Sequence, residues 1–94
     1  MTTQKYIAEM IDNYETIAAT LNVLKYLIPD SCIGKMGELE KESLFLKHTI
    51  NQYRLAYIDN APGCLLQEID KVYCNKNLNV LLGIKKLLEE IHTH

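Results

Sequence analysis

The chain has 94 residues and a mass of 10.8 kDa, a length typical of one domain, so we expect residues 1–94 to form a single folded unit. Hydrophobic residues make up 48% of the sequence and charged residues 23%, which excludes a disordered, collagen-like or low-complexity chain. The net charge of −2 and the presence of only one arginine, Arg54, argue against a surface that binds nucleic acid or anionic lipid.

The sequence also indicates the cellular compartment in which we expect the protein. No apolar run approaches the roughly 20 residues that a membrane-spanning helix requires. The first residues lead into a polar-patterned helix, whereas a signal peptide would have an apolar segment there. The three cysteines are widely spaced and odd in number, which matches neither a secreted disulfide framework nor a Cys-x-x-Cys metal site. We therefore expect a cytoplasmic protein with reduced thiols, no membrane span and no cofactor.

The first segment carries the clearest helical pattern. Its apolar residues recur at alternating spacings of three and four, which predicts one long amphipathic helix. A hydroxyl of Thr2 or Thr3 is suited to cap its start, and Pro29 is expected to end it because proline lacks an N–H group. The residues of this predicted core seam are Ile7, Met10, Tyr14, Ile17, Leu21, Leu24 and Ile28.

A second helix is predicted to begin either at Cys32 or only near Gly37, because glycine weakens helix formation between these positions. Its predicted core seam, at the same spacing, consists of Leu39, Ser43, Leu46, Ile50, Tyr53 and Tyr57. Four large apolar residues lie off this seam: Leu44, Phe45, Leu55 and Ile58. The helix is therefore apolar on more than one face, and it either lies centrally among its neighbours or covers a surface of another molecule.

The segment Asp59–Gly63 is the strongest helix breaker in the chain. A short third helix is expected after it, with Leu65, Leu66, Ile69, Val72 and Tyr73. Asn77 can then cap a fourth helix; alternatively, the two segments form one bent helix, because no proline separates them. The predicted core face of the last segment consists of Leu78, Leu81, Ile84, Leu88 and Ile91. The predicted fold is all-α: a small bundle in which a long antiparallel helical hairpin is closed by one bent or two short helices.

No spacing of side chains points to catalysis. Serine, cysteine, histidine and aspartate do not fall into a nucleophile pattern, and the four glycines are too scattered for a phosphate-binding loop. The carboxylates of Glu38, Glu40 and Glu42 alternate around a helix, which is typical of a solvated face. His92 and His94 have a spacing that could hold a metal ion, but we expect them to belong to a frayed terminal tail. We therefore expect no enzyme and no metal site.

One short motif has a family resemblance. Asp30-Ser31-Cys32 resembles the Asp-Ser-Leu sequence on which acyl carrier proteins carry phosphopantetheine, and it lies at a similar place before a second helix. The resemblance implies a carrier protein modified at Ser31. It covers three residues, cysteine replaces leucine, and the second helix lacks the strong acidity of that family. The chain is also similar in length to the helical chorismate mutases, but their site depends on several arginines, whereas this chain has Arg54 alone.

The sequence favours a protein that acts by binding another protein. Six tyrosines accompany one phenylalanine and no tryptophan, and tyrosine suits interfaces because its ring can be buried while its hydroxyl stays hydrated. In its general architecture the chain is similar to small helical immunity proteins, secretion chaperones and phage-encoded inhibitors. We expect a chaperone, inhibitor or immunity-type factor that occludes a partner, with a homodimer or a self-associating bundle as alternatives. The predicted partner-binding residues are Leu44, Phe45, Tyr53, Tyr57 and Ile58.

Overall fold

The computed structural model describes residues 2–93, which form three α-helices joined by short connections. Helix α1 spans Thr3–Leu24, α2 spans Ile33–Ile58 and α3 spans Gly63–Thr93; a 3₁₀ turn, Asp30–Cys32, immediately precedes α2. Helix α2 packs against both α1 and α3. The predicted all-α bundle is confirmed, and it is elongated, with extents of 49 × 18 × 16 Å.

The seams predicted for the helical hairpin lie in the core. Tyr14, Ile28 and Tyr57 are half-buried against the core, and the other seam residues are buried. The buried seam residues of α1 and α2 are Ile7, Met10, Ile17, Leu21, Leu24, Leu39, Ser43, Leu46, Ile50 and Tyr53. Spacings of three and four place these side chains along one side of each helix, so the two helices can bury them against each other.

Helix α1 begins as predicted but ends early. The hydroxyl of Thr2 accepts a hydrogen bond from the backbone N–H of Lys5 at 3.2 Å, which caps the first turn. The α-helix ends at Leu24, so the prediction that it continues to Pro29 is wrong. The N–H of Leu27 bonds to the carbonyl of Leu24, three residues back, in a tighter turn. The ring of Pro29 disfavours helical geometry in the residue before it, and the chain therefore leaves the helix ahead of the proline.

Helix α3 is one continuous helix, and the predicted interruption at Asn75–Asn77 does not occur. Asn77 was predicted to cap a fourth helix, but it lies in mid-helix, and its side-chain oxygen accepts a hydrogen bond from Asn13 at 2.7 Å. The buried residues of α3 are Tyr73, Val80, Ile84 and Leu87. The predicted core face was therefore wrong at three of its positions, because Leu78, Leu81 and Leu88 are exposed.

Two glycines test how closely α3 crosses α2. A Cβ atom on Gly83 would overlap the side chain of Leu39, whereas a Cβ atom on Gly37 would meet no atom within 4 Å. Gly37→Ala should stabilise the fold by about 0.5–1 kcal/mol through helix propensity. Gly83→Ala should destabilise it, because overpacking costs about 1–3 kcal/mol and outweighs that gain. Urea unfolding of both variants measures the difference; equal stabilisation by the two would contradict the close crossing.

Candidate protein-binding surfaces

Large apolar side chains within residues 2–93 divide almost equally between the core and the surface. Fifteen hydrophobic residues are buried, and fourteen large hydrophobic residues are exposed. Singly exposed apolar side chains are normal in soluble proteins, but rows of them along one face are typical of binding sites. Two such rows lie on the outer sides of α2 and α3.

The outer face of α2 consists of Ile33, Leu44, Leu55 and Ile58, whose exposed fractions lie between 55% and 62%. The first three recur every eleven residues, which is three helical turns plus about 20°, so they form a nearly straight row. The row points away from the buried side of the helix, where Leu46 is completely inaccessible. Leu44 also borders a shallow groove between α1 and α2 that is lined by Ala18 and Leu21.

The outer stripe of α3 consists of Leu78, Leu81, Leu82 and Leu88, whose exposed fractions lie between 41% and 55%. Lys85 is exposed on the same side of the helix, one turn after Leu81 and Leu82. The sequence pattern did not identify this stripe as a surface, because it assigned Leu78, Leu81 and Leu88 to the core. Two apolar rows can be found on this helix from the sequence. The exposed row can be identified only when it is known which of the two is buried.

The five residues predicted to bind a partner do not form one patch. Leu44 and Ile58 lie together on the outer face of α2. Phe45 is 55% exposed but is turned toward α3, where the ammonium group of Lys76 lies 5.1 Å from its ring centroid. This distance is suited to a cation–π contact, which holds the exposed phenylalanine ring against the helix pair.

The two predicted tyrosines of α2 face inward. Tyr53 is 8% exposed and packs edge-to-face on Tyr6, with 5.8 Å between ring centroids. Tyr57 is half-buried against the core. The expectation that Tyr53 lies on an accessible surface is therefore corrected, since its ring fills the core of the free protein. Among the six tyrosines, Tyr26 is the most exposed, at 79%.

Polar side chains join α1 to α3 in an arrangement that the sequence did not predict. The hydroxyl of Tyr6 donates to the carboxylate of Asp70. The amide of Asn13 donates to the hydroxyl of Tyr73 at 3.0 Å and to the side-chain oxygen of Asn77 at 2.7 Å. Burial and then the contact with Asp70 raise the pKa of Tyr6, so this phenol stays protonated and acts as a donor. These bonds fix the register of the two helices and do not supply an acid or base.

A second set of polar contacts connects the 3₁₀ turn and the start of α2 to the end of α3. The thiol of Cys32 is completely buried and donates to Glu90, whose carboxylate also accepts from Lys35. The hydrogen bond to Glu90 and then burial raise the pKa of the Cys32 thiol. A buried, protonated thiol is a poor nucleophile, so the contact is structural. Ser31, the residue of the carrier-protein resemblance, is exposed beside it, with its oxygen 4.0 Å from the sulfur.

Within the described chain, histidine, cysteine and acidic side chains do not gather in groups of three that could hold a metal ion. The predicted histidine pair is only partly described: His92 is exposed near the end of α3, and His94 lies outside the described residues.

Of the helices in residues 2–93, none combines the length and the apolar character needed to cross a bilayer. A comparison of the chain with protein-family models, with curated proteins and with solved structures found no match in any of the three.

Proposed function

We propose that this chain is a non-enzymatic cytoplasmic protein that binds a protein partner and occludes part of its surface, as a chaperone, inhibitor or immunity-type factor does. The observation that carries the proposal is the number of large apolar side chains left exposed, which nearly equals the number of hydrophobic residues in the core. Each such side chain gains about 1.5–3 kcal/mol when it is fully removed from water, so a partner that covers a row of them is bound favourably.

The outer stripe of α3 is the surface that we assign to this partner. Its four leucines occupy two adjacent rows on an uninterrupted helix, which gives a rigid ridge that fits an apolar groove or the apolar face of another helix. Lys85 lies within the stripe. Symmetric antiparallel pairing of two such stripes would bring the two Lys85 ammonium groups close together, and like charges disfavour that pairing. The stripe therefore fits a different protein, with a carboxylate placed opposite Lys85.

Affinity capture from cells that express the protein tests the proposal. The wild-type chain should retain one protein in near-stoichiometric amount. Leu81→Glu should lower that recovery at least about tenfold, because it places a charge where the partner's apolar surface must lie. Recovery is measured by quantitative mass spectrometry, and circular dichroism verifies that the helices of the variant are intact.

Val72→Glu serves as the matched control, because it also replaces an exposed apolar residue of α3 by glutamate, and Val72 lies two and a half turns before Leu81, on the opposite side of the helix. It should leave the recovery unchanged. Lys85→Glu should weaken capture in the same way as Leu81→Glu, because it opposes the partner's carboxylate with a like charge. Failure to recover any stoichiometric protein, or equal recovery with the Leu81→Glu variant, would overturn the proposal.

A further inference from the structure

We infer that the outer face of α2 is a symmetric dimer interface, and that its occupant is α2 of a second copy of this chain, running antiparallel to the first. This inference concerns a different surface from the proposed partner site on α3, and it stands or fails independently. It rests on the spacing of the exposed residues of α2, on the polar residues between them and on the surface area of the single chain.

The apolar row is symmetric about Leu44. Ile33 precedes Leu44 by eleven residues, and Leu55 follows it by eleven, which places the two side chains about 16 Å from Leu44 in opposite directions along the axis. A two-fold axis through Leu44 therefore puts Ile33 of one copy opposite Leu55 of the other, at both ends of the interface. Leu44 packs on its own symmetry mate. An isologous interface requires this kind of self-complementarity.

Two polar residues beside the apolar row, Glu40 and His48, have the same symmetry. Glu40 lies one turn before Leu44 and His48 one turn after it, and both are exposed on the outer side of α2. The two-fold axis that pairs the apolar residues places Glu40 of one copy level with His48 of the other. A carboxylate can accept a hydrogen bond from an imidazole across the interface, and the pairing occurs twice. An antiparallel arrangement thus places Glu40 opposite a polar residue and places Ile33, Leu44 and Leu55 opposite apolar ones.

The surface area of the chain agrees with a missing partner. The accessible surface is 6411 Å², whereas about 5,500 Å² is expected for a compact monomer of this mass. The radius of gyration is 15.1 Å, against about 12 Å for a compact domain of this length. The excess of roughly 900 Å² is close to the area of about 800 Å² that each partner buries in a standard interface. A second copy along α2 would also widen the narrow bundle into a more compact particle.

The groove beside Leu44 can receive the partner's side chains. It lies between α1 and α2; Ala18, Leu21 and Leu44 give it an apolar part, and Asn22, Lys25, Glu40 and Ser43 are among the polar residues that line the rest. In helix packing, a ridge of one helix enters the groove beside the ridge of the other. Leu44 of the second copy can lie in this groove, while Leu44 of the first copy occupies the equivalent groove of its mate.

Sedimentation equilibrium of the purified chain tests the inference, with the protein concentration varied from micromolar to about 1 mM. The wild type should sediment at twice the mass of 10.8 kDa at the higher concentrations. Leu44→Glu should raise the dissociation constant at least about 100-fold, because two carboxylates then face each other at the two-fold axis. Leu82→Glu, an equal change on α3, should leave the dimer intact, because Leu82 lies outside the outer face of α2.

Oxidative cross-linking provides a second readout that does not depend on the stability of the glutamate variant. In a Cys64→Ser, Cys74→Ser background, Leu44→Cys should form a covalent dimer with oxidised glutathione, because the axis brings the two thiols within disulfide range. Gln52→Cys, exposed on another side of α2, should not. A wild-type chain that is monomeric throughout, a dimer that survives Leu44→Glu, or a cysteine at position 44 that does not cross-link would each overturn the inference.

Discussion

Replacing Leu87 by alanine should lower the free energy of unfolding by about 2–5 kcal/mol, the range for a buried leucine whose site cannot collapse. Leu87 is 1% exposed and packs in the core between the helices. Because a domain of this size has a total stability of about 5–15 kcal/mol, the variant should be close to unfolding at room temperature. Urea denaturation of the purified chain, followed by circular dichroism, measures the loss.

The neighbouring leucine is the matched control. Leu88 is 41% exposed, so Leu88→Ala should change the stability of the purified chain by no more than about 0.5 kcal/mol. The sequence pattern predicts the reverse order, since it assigned Leu88 and not Leu87 to the core. A larger loss of stability for Leu88→Ala than for Leu87→Ala would show that α3 is rotated about its axis, so that Leu88 and not Leu87 faces the core.

The second large effect is a loss of stability at alkaline pH. Burial and the contact with Asp70 raise the pKa of Tyr6 in the folded state above its value of about 10 in the unfolded chain. A raised pKa means that the stabilisation is complete below pH 10 and is lost as the pH rises further. One titrating group can lower the free energy of unfolding by at most about 1.4 kcal/mol per pH unit. Solvent screening of the half-exposed Tyr6 makes the decrease smaller than this limit.

Urea unfolding between pH 7 and pH 11.5 measures this effect in the wild type and in Tyr6→Phe. The phenylalanine ring keeps the contact with Tyr53 but has no proton to lose, so stability should fall less steeply above pH 10. The slope should not reach zero, because burial also raises the pKa of Tyr53 and Tyr73. Tyr26→Phe, which removes the hydroxyl of an exposed ring, serves as the control for the substitution itself. Identical slopes for wild type and Tyr6→Phe would contradict a role for this hydroxyl.

The hairpin of α1 and α2 was predictable because its signals are local. Spacings of three and four select one face of each helix, and in each of these two segments only one row of residues keeps that spacing throughout. The capping hydroxyl at Thr2 and the stop near Pro29 also act on backbone groups within a few residues. The end of α1 was misplaced because the prediction extended the helix to Pro29, whereas the chain already tightens at Leu24 and Leu27, ahead of the proline.

The last helix shows where such reasoning fails. Its sequence supports two apolar rows, one through Val80, Ile84 and Leu87 and the other through Leu78, Leu81 and Leu88. Both rows have helical spacing, so periodicity alone does not say which one is buried. The structure buries the first row, and Asn77 continues the helix with its side chain bonded to Asn13 of α1. The candidate binding stripe of α3 was missed for the same reason.

The candidate site on α2 was predicted in part. Leu44 and Ile58 are exposed, as expected for large residues that lie off the core seam. Tyr53 lies on that seam and is buried against Tyr6, which shows that position in the helical repeat outweighs the general preference of tyrosine for interfaces. Partner binding by these residues stays a prediction until the dimer and capture experiments are done.

The helical character of the chain and the apolar sides of α1 and α2 follow from the sequence alone, because helix propensity, caps, breakers and periodicity act over a few residues. Contacts between the helices select which apolar row of α3 is buried and which stays on the surface. They also pair Tyr6 with Asp70 and Asn13 with Asn77, residues 64 positions apart in each case. Burial and long-range hydrogen bonds belong to pairs of surfaces, and the pattern of one helix does not specify its neighbour.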